Sequence, residues 1–143
     1  MAPTIVTSKQ FHHYSVELGW PVQFENGHCY LPTNAGMVGL VLPVALASEV
    51  SAEFTRRGMF VPTLKSPERQ KRWIFLADTP TSVPPDIPGW TELISGPQRI
   101  LLPGGPGLAR WIREPTREHQ RAPGYALAVS AIRSVLRRSA VGV

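Results

Sequence analysis

The spacing of apolar residues changes several times along the chain, and each change marks an element. Residues 8–18 place Phe11, Tyr14 or Ser15, and Leu18 on one side of a short helix, with Thr7 or Ser8 at its N-cap and Gly19 just past its end. In WPVQFENGHCYLP, Val22 alternates with Phe24 and Cys29 with Leu31, which predicts two strands. Asn26-Gly27 between them suits the positive φ angles of a tight hairpin turn. After a turn at 33–36, Met37 to Leu42 is a nearly unbroken apolar run and predicts a central strand covered on both faces. Pro43 fits the first turn of a helix, where its missing N–H costs nothing. Leu46, Val50 and Phe54 then predict a helix over 44–57 that stops at Gly58, with Glu49, Glu53, Arg56 and Arg57 on its wet side.

A short apolar stretch at 59–61 and a polar loop at 65–71 lead to the strand RWIFL, Arg72 to Leu76. The prolines between Asp78 and Gly89 leave only a surface loop there. Short strands at 92–94, 99–102 and 108–112 are separated by GPQ and PGGPG. The chain closes on a helix over 124–138, with Tyr125, Val129, Ile132 and Leu136 in an apolar stripe. No internal repeat or heptad interrupts this order. It predicts one α+β domain over 1–143: a mainly antiparallel or mixed sheet with helices packed on one face. That single sheet is expected to hold residues 22–24, 38–42, 73–76, 99–102 and 110–112, with Val41, Phe54 and Phe75 buried.

Composition adds limits. The 143 residues suffice for one core, and 15 prolines, about twice the usual share, call for many loops. Cys29 is the only cysteine, so it is read as a buried structural thiol; a disulfide within the chain and a cysteine-built zinc site are excluded. The opening MAPTIVTSKQFHHYSVELGW has neither a basic leader nor a continuous apolar core, and a cytoplasmic location is expected. The stretch from Asn26 to Ser48 lacks Lys, Arg, Asp and Glu, but Pro32, Thr33, Asn34 and Pro43 break it, so no membrane span is expected.

Charge is unevenly divided. Residues 1–98 carry 7 Lys/Arg and 8 Asp/Glu, and residues 99–143 carry 8 Arg and 2 Glu, giving −1 and +6. Arg110, Arg113, Arg117, Arg121, Arg133 and Arg137 are the candidate nucleic-acid contacts, with Arg99 and Arg138 adding to the same basic half. Trp111 is expected on the strand face opposite Arg110 and Arg113. A solvated basic surface, with charges favourable at a helix C-terminus, explains the same residues without a ligand. The stripe of the last helix docks on the domain's own sheet or, alternatively, on a protein partner or a second copy.

Other motifs point to little chemistry. His12 and His13 lie about 100° apart on a helix, with no acidic or histidine partner at hand, and His28 and His119 are isolated. No serine sits in a G-x-S-x-G elbow. Gly104, Gly105 and Gly107 in PGGPG are read as a turn, because prolines interrupt the loop and a strand follows it, unlike a phosphate-binding loop.

A helix ending in LGWPV, a strand entering PVAL, the strand RWIFL, and RILLPGGPG followed by ARWI together resemble the N-terminal domain of bifunctional DNA primase/polymerases. The resemblance covers about residues 8–114 and is closest to short, degenerate relatives in high-GC Gram-positive bacteria. It implies a primase/polymerase-like fold with an RRM-like core. In active members two acids one residue apart, a histidine and a third acid surround the nucleotide and its divalent ions. The paired acids fall on Gly39 to Leu42, the histidine on Trp73 and the third acid on Glu92, a relic acidic position. With one carboxylate left, the metal ions that phosphoryl transfer requires have no holder. The resemblance therefore implies no catalysis, no metal and no cofactor. The function expected is a noncatalytic, DNA- or RNA-binding or regulatory domain.

Overall fold

The computed structural model describes residues 12–34, 36–67, 69, 71–78, 88–104, 109–116, 118 and 122–141, with backbone alone for 139–141. A π-helical turn, His13–Glu17, comes first. Then follow β1 (Gln23–Glu25), β2 (His28–Pro32), β3 (Met37–Pro43), α1 (Val44–Arg56), β4 (Thr63–Lys65) and β5 (Arg72–Asp78). β6 (Glu92–Ile94), β7 (Arg99–Leu101), β8 (Arg110–Arg113) and α2 (Tyr125–Val141) complete the described elements. No helix among the described residues is long and apolar enough to cross a membrane.

The architecture is α+β, but the single sheet expected from the sequence is two. β6-β3-β5-β4-β8 form a five-stranded sheet, and β1-β2-β7 form a smaller one, all ladders antiparallel. The segments at 22–24 and 99–102 therefore leave the main sheet. Alternation along them shows that one face is covered without showing by what. Here the hairpin joins β1 to β2, with Asn26 at φ 51° and Gly27 at φ 81°, and β2 takes β7 as its second neighbour through Tyr30↔Leu101. The small sheet then buries Cys29, Leu31, Ile100 and the adjoining Leu102 against Met37, Val41, Leu64, Ile74, Leu76 and Ile94.

The helices cover the opposite face. Val38, Leu40, Leu42, Phe75 and Ala77 meet Ala47, Val50 and Phe54 of α1 and Tyr125, Ala128, Val129, Ile132 and Val135 of α2. β3 lies between the two layers, which is why its whole apolar run is buried. Val41, Phe54 and Phe75 are buried as expected. The stripe of α2 packs on its own domain. β3 is antiparallel to β5, and β5 to β4, so β3 and β4 run parallel with α1 joining them and β5 between.

Gly39 sits under the small sheet with no room for a side chain. A Cβ there would meet Ile100 Cδ1 at 2.9 Å and Ile74 Cγ2 at 3.0 Å. Gly39→Ala should cost about 1–3 kcal/mol through overpacking, read as a lower urea midpoint at unchanged slope. An unchanged midpoint would show that the small sheet yields freely.

Several local expectations change. Only the π-helical turn is seen of the first helix, closed by the Leu18 N–H donating to His13 O at 3.0 Å, with Tyr14 and Leu18 buried and Gly19 at φ 70°. Its start at Ser8, the Thr7 cap and Phe11 lie outside the described residues. Pro43 ends β3 and takes the N-cap position instead of the first helical turn. On α1 the buried stripe is Ala47, Val50, Glu53 and Phe54, while Leu46 is half-buried. Glu53 is the clearest correction. Expected on the wet side, its side chain is 0% exposed because three arginines close over it. β4 forms a strand at 63–65, after the expected apolar stretch and taking Lys65 from the expected polar loop.

Trp111 does lie opposite Arg110 and Arg113, for a reason alternation alone does not supply. Residues two apart on a regular strand share a face. The β4–β8 ladder shifts register between Leu64↔Trp111 and Thr63↔Arg113, leaving Ile112 as the extra residue of a bulge. Trp111 therefore turns to the small-sheet side, where its Nε1–H donates to Tyr14 Oη at 3.1 Å. Tyr14 in turn donates to Pro103 O at 2.6 Å, and burial pushes its phenol far up.

Candidate nucleic-acid interface

Among the described residues β8 is an edge of the five-stranded sheet. On its helix side, Arg110 stands directly across from Lys65, both exposed. Arg113 reaches from the same side over the Phe60 ring, 5.7 Å from its centroid, and donates to Thr55 Oγ1 at 3.3 Å. None of the three forms an ion pair among the described residues. Like charges facing each other across a ladder are destabilising, so an anion placed here would be stabilised by all three.

The six candidate arginines do not form one described patch. Arg133 and Arg137 lie on α2, with Arg137 near Ser134 Oγ at 3.5 Å. Arg117 and Arg121 lie outside the described residues. α1 separates the β8 pair from the α2 pair: Thr55 meets Arg113, whereas Arg57, two residues and about 200° further around, donates to Ser134 Oγ at 2.8 Å.

Two other arginines are taken up internally. Arg99 pairs with Glu25 at 2.6 Å and lies 3.9 Å above the Tyr30 ring. Arg138 approaches Glu53 at 3.2 Å, beside Arg56 at 2.7 Å and Arg57 at 2.6 Å. Hydrogen bonds first from Arg56 and then from Arg57 push the Glu53 carboxyl down to about 2. Arg57 and Arg138 thereby fasten α1 to α2. Burial raises the Tyr125 phenol on α2, and the charge of Arg133 opposes that rise.

The positions that the family resemblance assigns to metal-binding acids have a definite arrangement. Gly39 and Val41 face the small sheet, and Glu92 pairs opposite Val41 on the same face. Trp73 faces the helices instead, because it follows the alternation of Phe75. Apolar side chains fill the space over Gly39, and the Glu92 carboxylate is held by Arg69 at 3.0 Å and Arg72 at 3.5 Å. Among the described residues no group of three or more His, Cys, Asp and Glu is placed to hold a metal ion.

The histidine pair has an acidic neighbour that the sequence reading missed. Glu17 lies 2.7 Å from His13 Nδ1 and 4.0 Å from His12 Nδ1, because the turn brings it back beneath them. Cys29 is fully buried, and burial raises its thiol, which leaves it unreactive. Gly104 adopts φ 114° in a turn; Gly105, Gly107 and His119 lie outside the described residues.

Trp90 was absent from every sequence-based candidate. It is 76% exposed and has φ 67°, in a turn closed by the Thr91 N–H donating to Pro88 O at 3.3 Å. The available signal was Pro-Gly-Trp, which puts glycine one position before the residue that needs its conformational freedom.

No family model, curated protein or solved structure matches the chain.

Proposed function

We propose that the chain is a noncatalytic nucleic-acid-binding or regulatory domain of the cytoplasm, a degenerate relative of the primase/polymerase domain that binds DNA or RNA weakly and without sequence preference. The observation that carries this reading is the set of Lys65, Arg110 and Arg113 on one side of the β8 edge, with no described acid paired to them. Phosphates are the anions that three such cations without a base-reading element would recognise. The parallel β3 and β4 joined by α1, with β5 between them, are what a split βαβ unit of an RRM-like core would contain. The isoleucines around Gly39 and the arginines on Glu92 support a packed centre in place of a metal site. The lone buried thiol fits a reducing compartment.

In RNA-recognition modules of this kind the bases stack on the sheet face. Here β1, β2 and β7 occupy that face, which leaves the edges and ends of the main sheet for a ligand.

Fluorescence anisotropy with a random duplex and a single strand tests the reading. With three or four phosphates neutralised on duplex, log K should fall against log salt with a slope of roughly −3 to −4. Arg110→Ala/Arg113→Ala should flatten it by about two units. The same preparation should incorporate no labelled nucleotide with magnesium or manganese. Absence of binding at low salt, or metal-dependent incorporation, would overturn the proposal.

A further inference from the structure

We infer that Trp90 is a stacking platform for an unpaired base and that Lys71 and Arg72 take the neighbouring phosphates, making one end of the five-stranded sheet a site for single-stranded nucleic acid. This inference rests on the nucleic-acid reading above and adds a site to it that lies away from the β8 edge.

The turn at Pro88 to Thr91 is built at odds with its sequence. Trp90 holds the position with φ 67°, which favours glycine, while Gly89 precedes it and gains nothing there. A bulky aromatic residue in the left-handed region is strained. The strain is not offset by burial, since 76% of Trp90 is exposed, whereas Trp20 is buried and Trp73 and Trp111 pack against the cores. Strained backbone positions cluster at active sites and ligand clamps.

Its surroundings carry the complementary charge. β6 runs antiparallel to β3 and begins with Glu92 opposite Val41, while Pro43, two residues further along β3, pairs with Arg72 on its other side. The Arg72 and Arg69 guanidinium groups both come to the Glu92 carboxylate, two residues from Trp90. Lys71, exposed and at φ 60°, stands beside them with its carbonyl accepting the Val44 N–H at 3.0 Å. Two cations hold the one acid and Lys71 adds a third positive charge next to Arg72 in the chain, leaving a net positive end two residues along the chain from the exposed indole.

An indole face accepts any base, and adjacent cations follow the backbone. A duplex keeps its base faces inside the stack, so this combination favours single strands. An acidic protein segment would satisfy the cations but leaves the exposed, strained indole without a purpose.

The test uses the full chain, a labelled oligo(dT) and a matched duplex. Oligo(dT) should quench the part of the tryptophan emission that Trp90→Gly removes. Trp90→Gly should weaken single-strand binding about tenfold, with duplex binding changed less than about twofold and the melting temperature raised, because glycine relieves the turn. Lys71→Asn, which tolerates the same backbone, should weaken single-strand binding several-fold. Unchanged single-strand affinity in Trp90→Gly would overturn this inference while leaving the β8 reading intact if Arg110→Ala/Arg113→Ala still lost binding. Quenching by poly-glutamate but not by oligo(dT) would assign the site to an acidic protein segment and overturn it too. No nucleic-acid binding by the wild-type chain would remove both readings together.

Discussion

Phe54→Ala should destabilise the domain by about 3–5 kcal/mol. Phe54 is 2% exposed and meets Phe75 edge-on, with ring centroids 5.2 Å apart and planes at 81°. It projects from α1 into the layer where Leu40, Leu42 and Phe75 of the sheet face both helices. Truncation removes that aromatic contact and leaves a cavity that β3, fixed between two layers, cannot collapse to fill. In urea the midpoint should fall at unchanged slope, and the melting temperature should drop by about 10 °C or more. Leu46→Ala is the matched control. The four-residue spacing of the sequence ranks Leu46 with Phe54, but in the fold it is half-buried, so its loss should be clearly smaller. Equal losses at the two positions would mean that α1 is rotated from the orientation described.

Acid should loosen the two helices through Glu53. Its carboxyl is held at about 2 by Arg56 and Arg57, against an unfolded value of about 4.3. A carboxyl with a depressed folded-state pKa stabilises the fold fully above its unfolded pKa, and that contribution disappears as pH falls through the folded value. The window is therefore from about pH 4.3 down to about 2. Glu53→Gln should remove this part of the pH dependence and lower the melting temperature at neutral pH, because Arg56, Arg57 and Arg138 would be left facing one another. Melting curves of the two proteins between pH 2 and 7 measure it. Curves that stay parallel through the window would show that Glu53 carries no linkage. Hydrogen exchange should locate the loosening in α2, since Arg57 and Arg138 connect its serines and its end to α1.

Much of the fold was legible because the signals are local. Asn26-Gly27 named its hairpin from two residues, since few side chains tolerate both positive φ angles. The apolar run of Met37 to Leu42 announced a strand with two covers, and the stripe of the last helix announced a buried face. The candidate site was less legible. Alternation could not place Arg113, because the bulge at Ile112 depends on how β8 meets Leu64 and Thr63, far earlier in the chain. Charge counting could not separate arginines with acid partners from those without, because Arg99 meets Glu25, and Arg138 meets Glu53, only after distant segments pack together.

The sequence by itself determined that the chain forms short strands and two amphipathic helices, and that its central strand is covered on both sides. Periodicity reports whether a side chain turns toward apolar surroundings, and that depends on the residue and its near neighbours. Only the tertiary structure decided that β1, β2 and β7 form a second sheet, that Glu53 is buried, and that Trp90 stands exposed two residues before the Glu92 carboxylate that Arg69 and Arg72 hold. Each of these depends on which distant segment arrives as the neighbour. Strands with the same alternation fit either sheet, and a carboxylate with the same helical spacing is wet or buried according to whether an arginine from another helix joins those of its own helix end in closing over it.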